Sequence, residues 1–153
     1  MKIYRNVLII IALIMVLVVS GCNTESTSQT VDKVVSSKSD VQKIEIYHFH
    51  GTNQCSSCIA VGKLAEETVN TYYADDVKSG KIVFAHINGD LLENKDKVMQ
   101  YGATGSSLWI GVYDANGFHA EQNTNVWYKI QDKPGYMIYL KGIIDKRLQD
   151  DFS

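Results

Sequence analysis

Lys43-Ile44-Glu45-Ile46-Tyr47-His48-Phe49 runs through His50-Gly51-Thr52-Asn53-Gln54 into Cys55-Ser56-Ser57-Cys58-Ile59-Ala60-Val61. Ile44, Ile46 and His48 share one face of an extended segment, and Glu45, Tyr47 and Phe49 share the other. Both faces are largely apolar, which predicts a strand inside a sheet covered on both sides. From Ile59 to Tyr73 the spacing changes, because Val61, Leu64, Ala65, Thr68, Val69 and Tyr72 recur at helical intervals. A C-x-x-C pair therefore sits where a strand hands over to a helix. Positions three apart share a helix face, so the two sulfurs can close a small ring or open to two thiols with little backbone movement. The unsatisfied N–H groups and positive dipole end of the helix stabilise a thiolate at Cys55. This context points to redox chemistry.

The first residues say where that chemistry would take place. Lys2 and Arg5 precede an almost unbroken apolar run from Val7 to Val19, and Ser20-Gly21-Cys22 follows. That is an export signal. Small residues just before a cysteine resemble the lipobox of bacterial lipoproteins, which implies removal of residues 1–21 and acylation (palmitate) of Cys22. An uncleaved anchor is the alternative, although the run barely reaches the roughly 18 apolar residues a span needs. From Asn23 the chain turns polar and serine-rich, without aromatics, so residues 22–42 are expected to be the lipidated cysteine and a flexible tether. Either reading places residues 43–153 at the cell membrane, facing the extracytoplasmic side, where disulfides persist.

Residues 43–153 have the length and apolar content of one domain with a single core. The whole chain carries a formal net charge of -2, and loss of Lys2 and Arg5 with the signal makes it more negative still. No basic stripe is present, which disfavours nucleic acid as a partner. Along the domain, Lys78-Ser79-Gly80-Lys81 ends the first helix and Ile82 to Asn88 reads as a second strand. Gly89-Asp90 opens a helix through Leu91, Leu92, Val98 and Met99 that stops at Tyr101-Gly102. Ser107 to Tyr113 is a third strand, and Asp114-Ala115-Asn116-Gly117 is a hairpin signal leading to a fourth. Asp132-Lys133-Pro134 supplies cap and first-turn chemistry for a last helix with Met137, Leu140, Ile143, Ile144 and Leu148 as its apolar stripe.

The order β-α-β-α-β-β-α with C-x-x-C after the first strand resembles the thioredoxin fold. Tyr101-Gly102-Ala103-Thr104-Gly105-Ser106-Ser107-Leu108-Trp109-Ile110 is similar to the Y-G-x-x-G-x-P-T-hydrophobic stretch of that family. More narrowly, Tyr47-His48-Phe49-His50-Gly51 ahead of the cysteines resembles the small arsenic-operon-associated (ArsF-like) thioredoxin-like proteins. The resemblance implies a three-layer α/β/α sandwich around a mixed four-stranded sheet. It also implies that Cys55 attacks and Cys58 resolves, with a Cys55–Cys58 disulfide in the oxidised form, and that Ser106 and Ser107 line the substrate groove. Two departures stand out. Ser107 falls where the family places its cis-proline, and a cis bond before serine costs roughly 2.5–4 kcal/mol. The buried first-strand carboxylate of thioredoxins is missing, and His48 or Phe49 occupies that stretch.

The expected function is thus an extracytoplasmic, membrane-tethered thiol–disulfide oxidoreductase acting on exported protein thiols and disulfides or on a membrane redox partner, as a monomer and with no cofactor. The Ser56-Ser57 pair leaves its potential open across about -270 to -120 mV. Three other readings compete. A C-x-x-C bridge could be purely structural, although so small a loop stabilises little. Both thiolates could hold a soft ion such as Cu(I) or As(III), although no further Cys or Met stands close in sequence. The groove could serve as a non-catalytic interaction module. His48 and His50 read first as ordinary strand residues, and otherwise as groups that tune the dithiol. His86 and His119 read as strand residues first and otherwise as ligands joining the cysteines at a metal, Trp109 and Trp127 as core or groove wall, and Asn53 and Gln54 as polar loop positions able to meet a substrate.

Overall fold

The computed structural model describes residues 41–153; the signal at 1–21, Cys22 and the tether up to residue 40 lie outside the described residues. Four strands, β1 (Lys43–His50), β2 (Ile82–Asn88), β3 (Ser107–Asp114) and β4 (Gly117–Gln122), form one sheet in the order β2-β1-β3-β4. β1 is parallel to β2 and antiparallel to β3, and β3 is antiparallel to β4. Four helices join them: α1 (Ser56–Tyr72), α2 (Ala74–Ser79), α3 (Lys95–Tyr101) and α4 (Lys133–Leu148). Among the described residues no helix is long and apolar enough to cross a membrane.

The two faces of β1 generate two cores. Ile44 and Ile46 pack with Ile82, Leu108, Ile110 and Val112 beneath Val61, Leu64, Ala65 and Val69 of α1 and Tyr136, Leu140 and Ile144 of α4. On the opposite face Tyr47 and Phe49 meet Tyr101 of α3, with Val98, Trp109 and Phe118 against them. The result is a thioredoxin-like α/β/α sandwich with a mixed sheet at its centre. Val41 also reaches the first core, and the Gln42 N–H donates to the Tyr113 carbonyl at 2.6 Å, so the domain is tied down just ahead of β1.

Most elements form where the sequence pattern puts them, and two differ. The first helix stops at Tyr72, and a separate short helix, α2, runs on to Ser79, where Gly80 closes it in the left-handed region. The helix expected from Gly89-Asp90 starts later. Asp90 accepts the Thr52 N–H at 2.7 Å, which engages it with the loop after β1, and a single 3-10 turn, Leu92–Asn94, precedes α3. The hairpin is as expected, with Asp114 Oδ1 accepting the N–H groups of Asn116 and Gly117 at 2.6 and 3.0 Å. Asp132 caps α4 through Gly135 N–H, and Pro134 occupies its first turn.

Glu45 is buried on β1, on the Tyr47 face, which demands partners because an unpaired interior charge is costly. It has four. Lys43 Nζ lies 2.7 Å from Oε1, while the hydroxyls of Tyr101 and Tyr113 donate to Oε2 at 2.8 and 3.1 Å and Lys97 Nζ approaches to 3.6 Å. Burial raises the Glu45 carboxyl, but the bonds from Lys43 and Tyr101 and the charges of Lys97 and Lys43 together hold it below its ordinary value. Tyr101 reaches it across Gly111, where a Cβ would fall 2.1 Å from the Tyr101 hydroxyl oxygen. We expect Gly111→Ala to cost about 2–3 kcal/mol through overpacking. Gly142→Ala on α4, with nothing within 4 Å of the new Cβ, should instead add roughly 0.5–1 kcal/mol through helix propensity. Urea unfolding of the two variants checks both signs.

Candidate redox site

α1 begins at the motif itself. Cys55 is its N-cap residue in extended conformation, and its carbonyl accepts the first helical bond from Ile59 N–H at 3.0 Å. Its side chain takes the cap position that serine or aspartate usually fills, and the Cys58 N–H donates to Cys55 Sγ at 3.1 Å. The sulfurs of Cys55 and Cys58 lie at disulfide distance, with their Cα atoms 5.1 Å apart. Cys55 is exposed and Cys58 half-buried behind it. When the bond opens, the same N–H and the dipole end of a helix of 17 residues face whatever negative charge Cys55 carries.

The loop between β1 and Cys55 is held from β2's far end. Asp90 Oδ2 accepts from Thr52 N–H, and Asn88 Nδ2 donates to Thr52 Oγ1 at 3.2 Å. The Thr52 backbone and side-chain bonds keep the Asp90 carboxyl below its ordinary value. Thr52, Asn88 and Asp90 were not singled out from sequence; the strand-to-turn position of Asn88-Gly89-Asp90 was their only signal. Asn53 and Gln54 are exposed, and Gln54 borders a cleft described below.

Ser107 opens β3 and pairs in register with Phe49 at the end of β1. Its hydroxyl donates to the Gly105 carbonyl at 2.9 Å and accepts from Trp109 Nε1 at 3.0 Å, so it braces the loop and the indole and is buried. The peptide before it is trans. Ser106 is half-buried and its Oγ makes no hydrogen bond. Beside this loop a cleft of about 190 Å³ is lined by Phe49, His50, Asp90, Val98, Thr104 and Gly105 among others.

His48 lies on the Ile46 face, turned toward α1, and is fully buried. Its ring sits against Gly62, where a Cβ would fall 2.3 Å from His48 Nδ1, so only glycine leaves room for it. In register with it on β2 is His86, and the two Nδ1 atoms are 3.0 Å apart. The His50 ring stacks on His48 at 5.4 Å, and His50 Nδ1 lies 2.9 Å from the Gly51 carbonyl. Glu66 of α1 closes the group, 3.4 Å from His86 Nε2. These side chains, with Lys63 and Gln54, line an open cleft of about 290 Å³. Burial first, and then the neighbouring His86 and His50, push the His48 imidazole down to about 4, against a smaller upward pull from the Cys58 backbone. His86 is therefore part of a cluster, and the parallel register that brings it there is set by the sheet. His119 is distant from it in the sheet order, on β4 beside Asp114 at 3.2 Å, and Trp127 packs against the α1–α4 core.

No protein-family model matches the chain, and no curated protein matches it. Among the described residues no group of three or more His, Cys, Asp or Glu side chains is arranged to hold a metal ion.

A histidine whose folded pKa lies below its unfolded value is neutral in the fold and binds protons more readily when unfolded. Its contribution is present above about pH 6.5 and is lost as the pH falls toward about 4. We expect acid destabilisation of up to about 3 kcal/mol to set in across that window. In His48→Asn the loss should begin only in the carboxylate range, as urea titrations at stepped pH would reveal.

Proposed function

We propose that this domain is a thiol–disulfide oxidoreductase in which Cys55 attacks and Cys58 resolves. The observation that carries the reading is the asymmetry of the pair: an exposed sulfur at a helix N-cap, receiving an N–H bond from a half-buried partner three residues on. Attack by the Cys55 thiolate on a substrate disulfide forms a Cys55–substrate bond and releases one substrate thiolate. Cys58 then attacks Cys55 Sγ, the Cys55–Cys58 bond forms, and the second substrate sulfur leaves with the electron pair. Cysteines lose two electrons and the substrate disulfide gains them. Run backward, the same chemistry oxidises a dithiol.

The place of action is part of the proposal. The basic and apolar N-terminal run and the Ser20-Gly21-Cys22 sequence support an acylated Cys22 that holds the domain on the extracytoplasmic side of the cell membrane, among exported thiols and disulfides. A strand-to-helix C-x-x-C in an export context favours this over a clip, because a bridge across so short a loop constrains the unfolded chain little. The cleft beside the Ser106–Ser107 loop, where Phe49, Val98 and Ala103 meet His50, Asp90 and Thr104, supports docking of an extended substrate segment at the end of β1.

We expect the protein to catalyse insulin reduction by dithiothreitol, and Cys55→Ser to fall to the uncatalysed rate. A Cys55→Ser variant as active as the wild type would remove the reading. Cys58→Ser should accumulate mixed disulfides through Cys55, visible as adducts on a non-reducing gel and released by reductant. Cys22→Ser should move the protein from the membrane to the soluble fraction of its host cell; an unchanged partition would dismiss the lipid anchor.

A further inference from the structure

We propose that the cleft between α1 and the β1–β2 edge selects low-molecular-mass disulfides that carry an amino-acid end, with Lys63 receiving the carboxylate and Glu66 the ammonium. The proposal rests on the redox reading of the cysteine pair and adds a class of substrate for it.

The cleft starts beside the motif. Gln54, the residue before Cys55, lines it, and so do Ile59, Lys63 and Glu66 of α1. These three helix positions follow at spacings of four and three residues, so they form one stripe on the helix surface. Cys55 heads that stripe, since its carbonyl accepts the Ile59 N–H. From Cys55 to Lys63 the helix rises about 12 Å, and helical side chains lean back toward the N-terminus. The Lys63 ammonium is thereby carried toward the sulfurs, within the span of a small peptide thiol.

The two charges in the cleft are opposite and do not pair with each other. A lysine followed by glutamates three and four residues on ordinarily meets one of them across a helix turn. Here both are engaged elsewhere. Glu66 Oε2 lies 3.4 Å from His86 Nε2 on β2, and Glu67 pairs with Lys133 of α4. Among the described residues Lys63 and the Gln54 amide make no ion pair or hydrogen bond. An ammonium, a carboxylate and an amide therefore face one open space of about 290 Å³. That is the small end of the range for ligand sites and suits a single amino-acid unit. A lone anion would meet Lys63 but also Glu66, and a lone cation the reverse. A ligand with one charge of each sign satisfies both, while Ile59 offers an apolar wall to the carbon chain between them.

The cleft holds one half of the substrate while the electrons move. The Cys55 thiolate attacks the small disulfide, one small thiolate leaves and takes a proton from water, and the other half stays bonded to Cys55 with its amino-acid end against Lys63 and Glu66. Cys58 then gives its proton to water and attacks Cys55 Sγ. The Cys55–Cys58 bond forms, and the second small thiolate leaves with the electron pair. The domain loses two electrons, and the small disulfide gains them.

The test mixes the reduced full-length protein with oxidised glutathione, whose arms end in an ammonium and carboxylates, or with neutral 2-hydroxyethyl disulfide. After acid quench, mass spectrometry reads how much of the peptide holding Cys55 and Cys58 is still open to alkylation. The quantity compared is the ratio of the two oxidation rates, which cancels any change in Cys55 itself. Lys63→Met and Glu66→Gln, both at exposed positions that tolerate substitution, should each lower that ratio about fivefold, the size of an exposed ion pair. Lys63→Arg should keep it, and added salt should shrink it in the wild type. A ratio unchanged in either Lys63→Met or Glu66→Gln would overturn the assignment. So would an equal loss by Lys63→Met against insulin, which would make the cleft a docking site for protein. A wild type that neither small disulfide oxidises would instead overturn the redox reading beneath it.

Discussion

β1 is buried on both faces and paired along both edges, yet it buries a carboxylate, Glu45, and an imidazole, His48, on opposite sides of the sheet. A titratable group in that position must either find partners for its charge or stay neutral. Each face resolves the conflict differently. On one, two lysines and two tyrosines converge so that Glu45 stays ionised. On the other, burial keeps His48 neutral and a second histidine supplies its hydrogen bond. Glu45 and His48 are three residues apart, roughly 10 Å along the strand, so the carboxylate stands toward the start of β1 and the imidazole toward its cysteine end.

That division explains how much could be read from the chain. The alternation of Ile44, Ile46 and Tyr47, Phe49 announced a strand with two buried faces, and the helical spacing of Val61, Leu64, Ala65 and Val69 announced the layer above it. Local signals with one dominant cause, the Asp132 cap and the Asp114–Gly117 turn, fell where expected. Helix starts governed by distant partners did not. Gly89-Asp90 looked like a helix start, and Asp90 is instead bound to Thr52, 38 residues away. His86 looked like an isolated strand residue because nothing in its local pattern shows that parallel pairing sets it beside His48. Glu45 is a buried first-strand carboxylate, but it stands at the opposite end of β1 from the cysteines and so does not replace the one whose absence was noted there.

The cysteine end of the sheet combines a rigid frame with an asymmetric pair. The cap geometry of Cys55 is set by α1, and α1 is seated by its core residues against β1 and α4; the Tyr136 hydroxyl even donates to the Val61 carbonyl inside the helix at 2.8 Å. Thr52, Asn88 and Asp90 fix the entering loop from the neighbouring strand. Ser107 takes its place in the sheet through an ordinary trans peptide and uses its hydroxyl to brace Trp109. Placement of the sulfurs therefore depends on packing and on the loop bonds, while the Cys58 N–H and the helix end face the Cys55 sulfur.

Gly62 gives this arrangement an evolutionary dimension. The space it leaves is the space the His48 imidazole fills, so the two positions are bound to change together. A descendant that gains a methyl group at 62 must first shed the ring at 48, and one that loses the ring is left with a void that a larger residue at 62 would fill. Histidine at 48 with glycine at 62, seven residues beyond Cys55, is accordingly a paired signature by which chains sharing this buried imidazole could be told from other C-x-x-C domains.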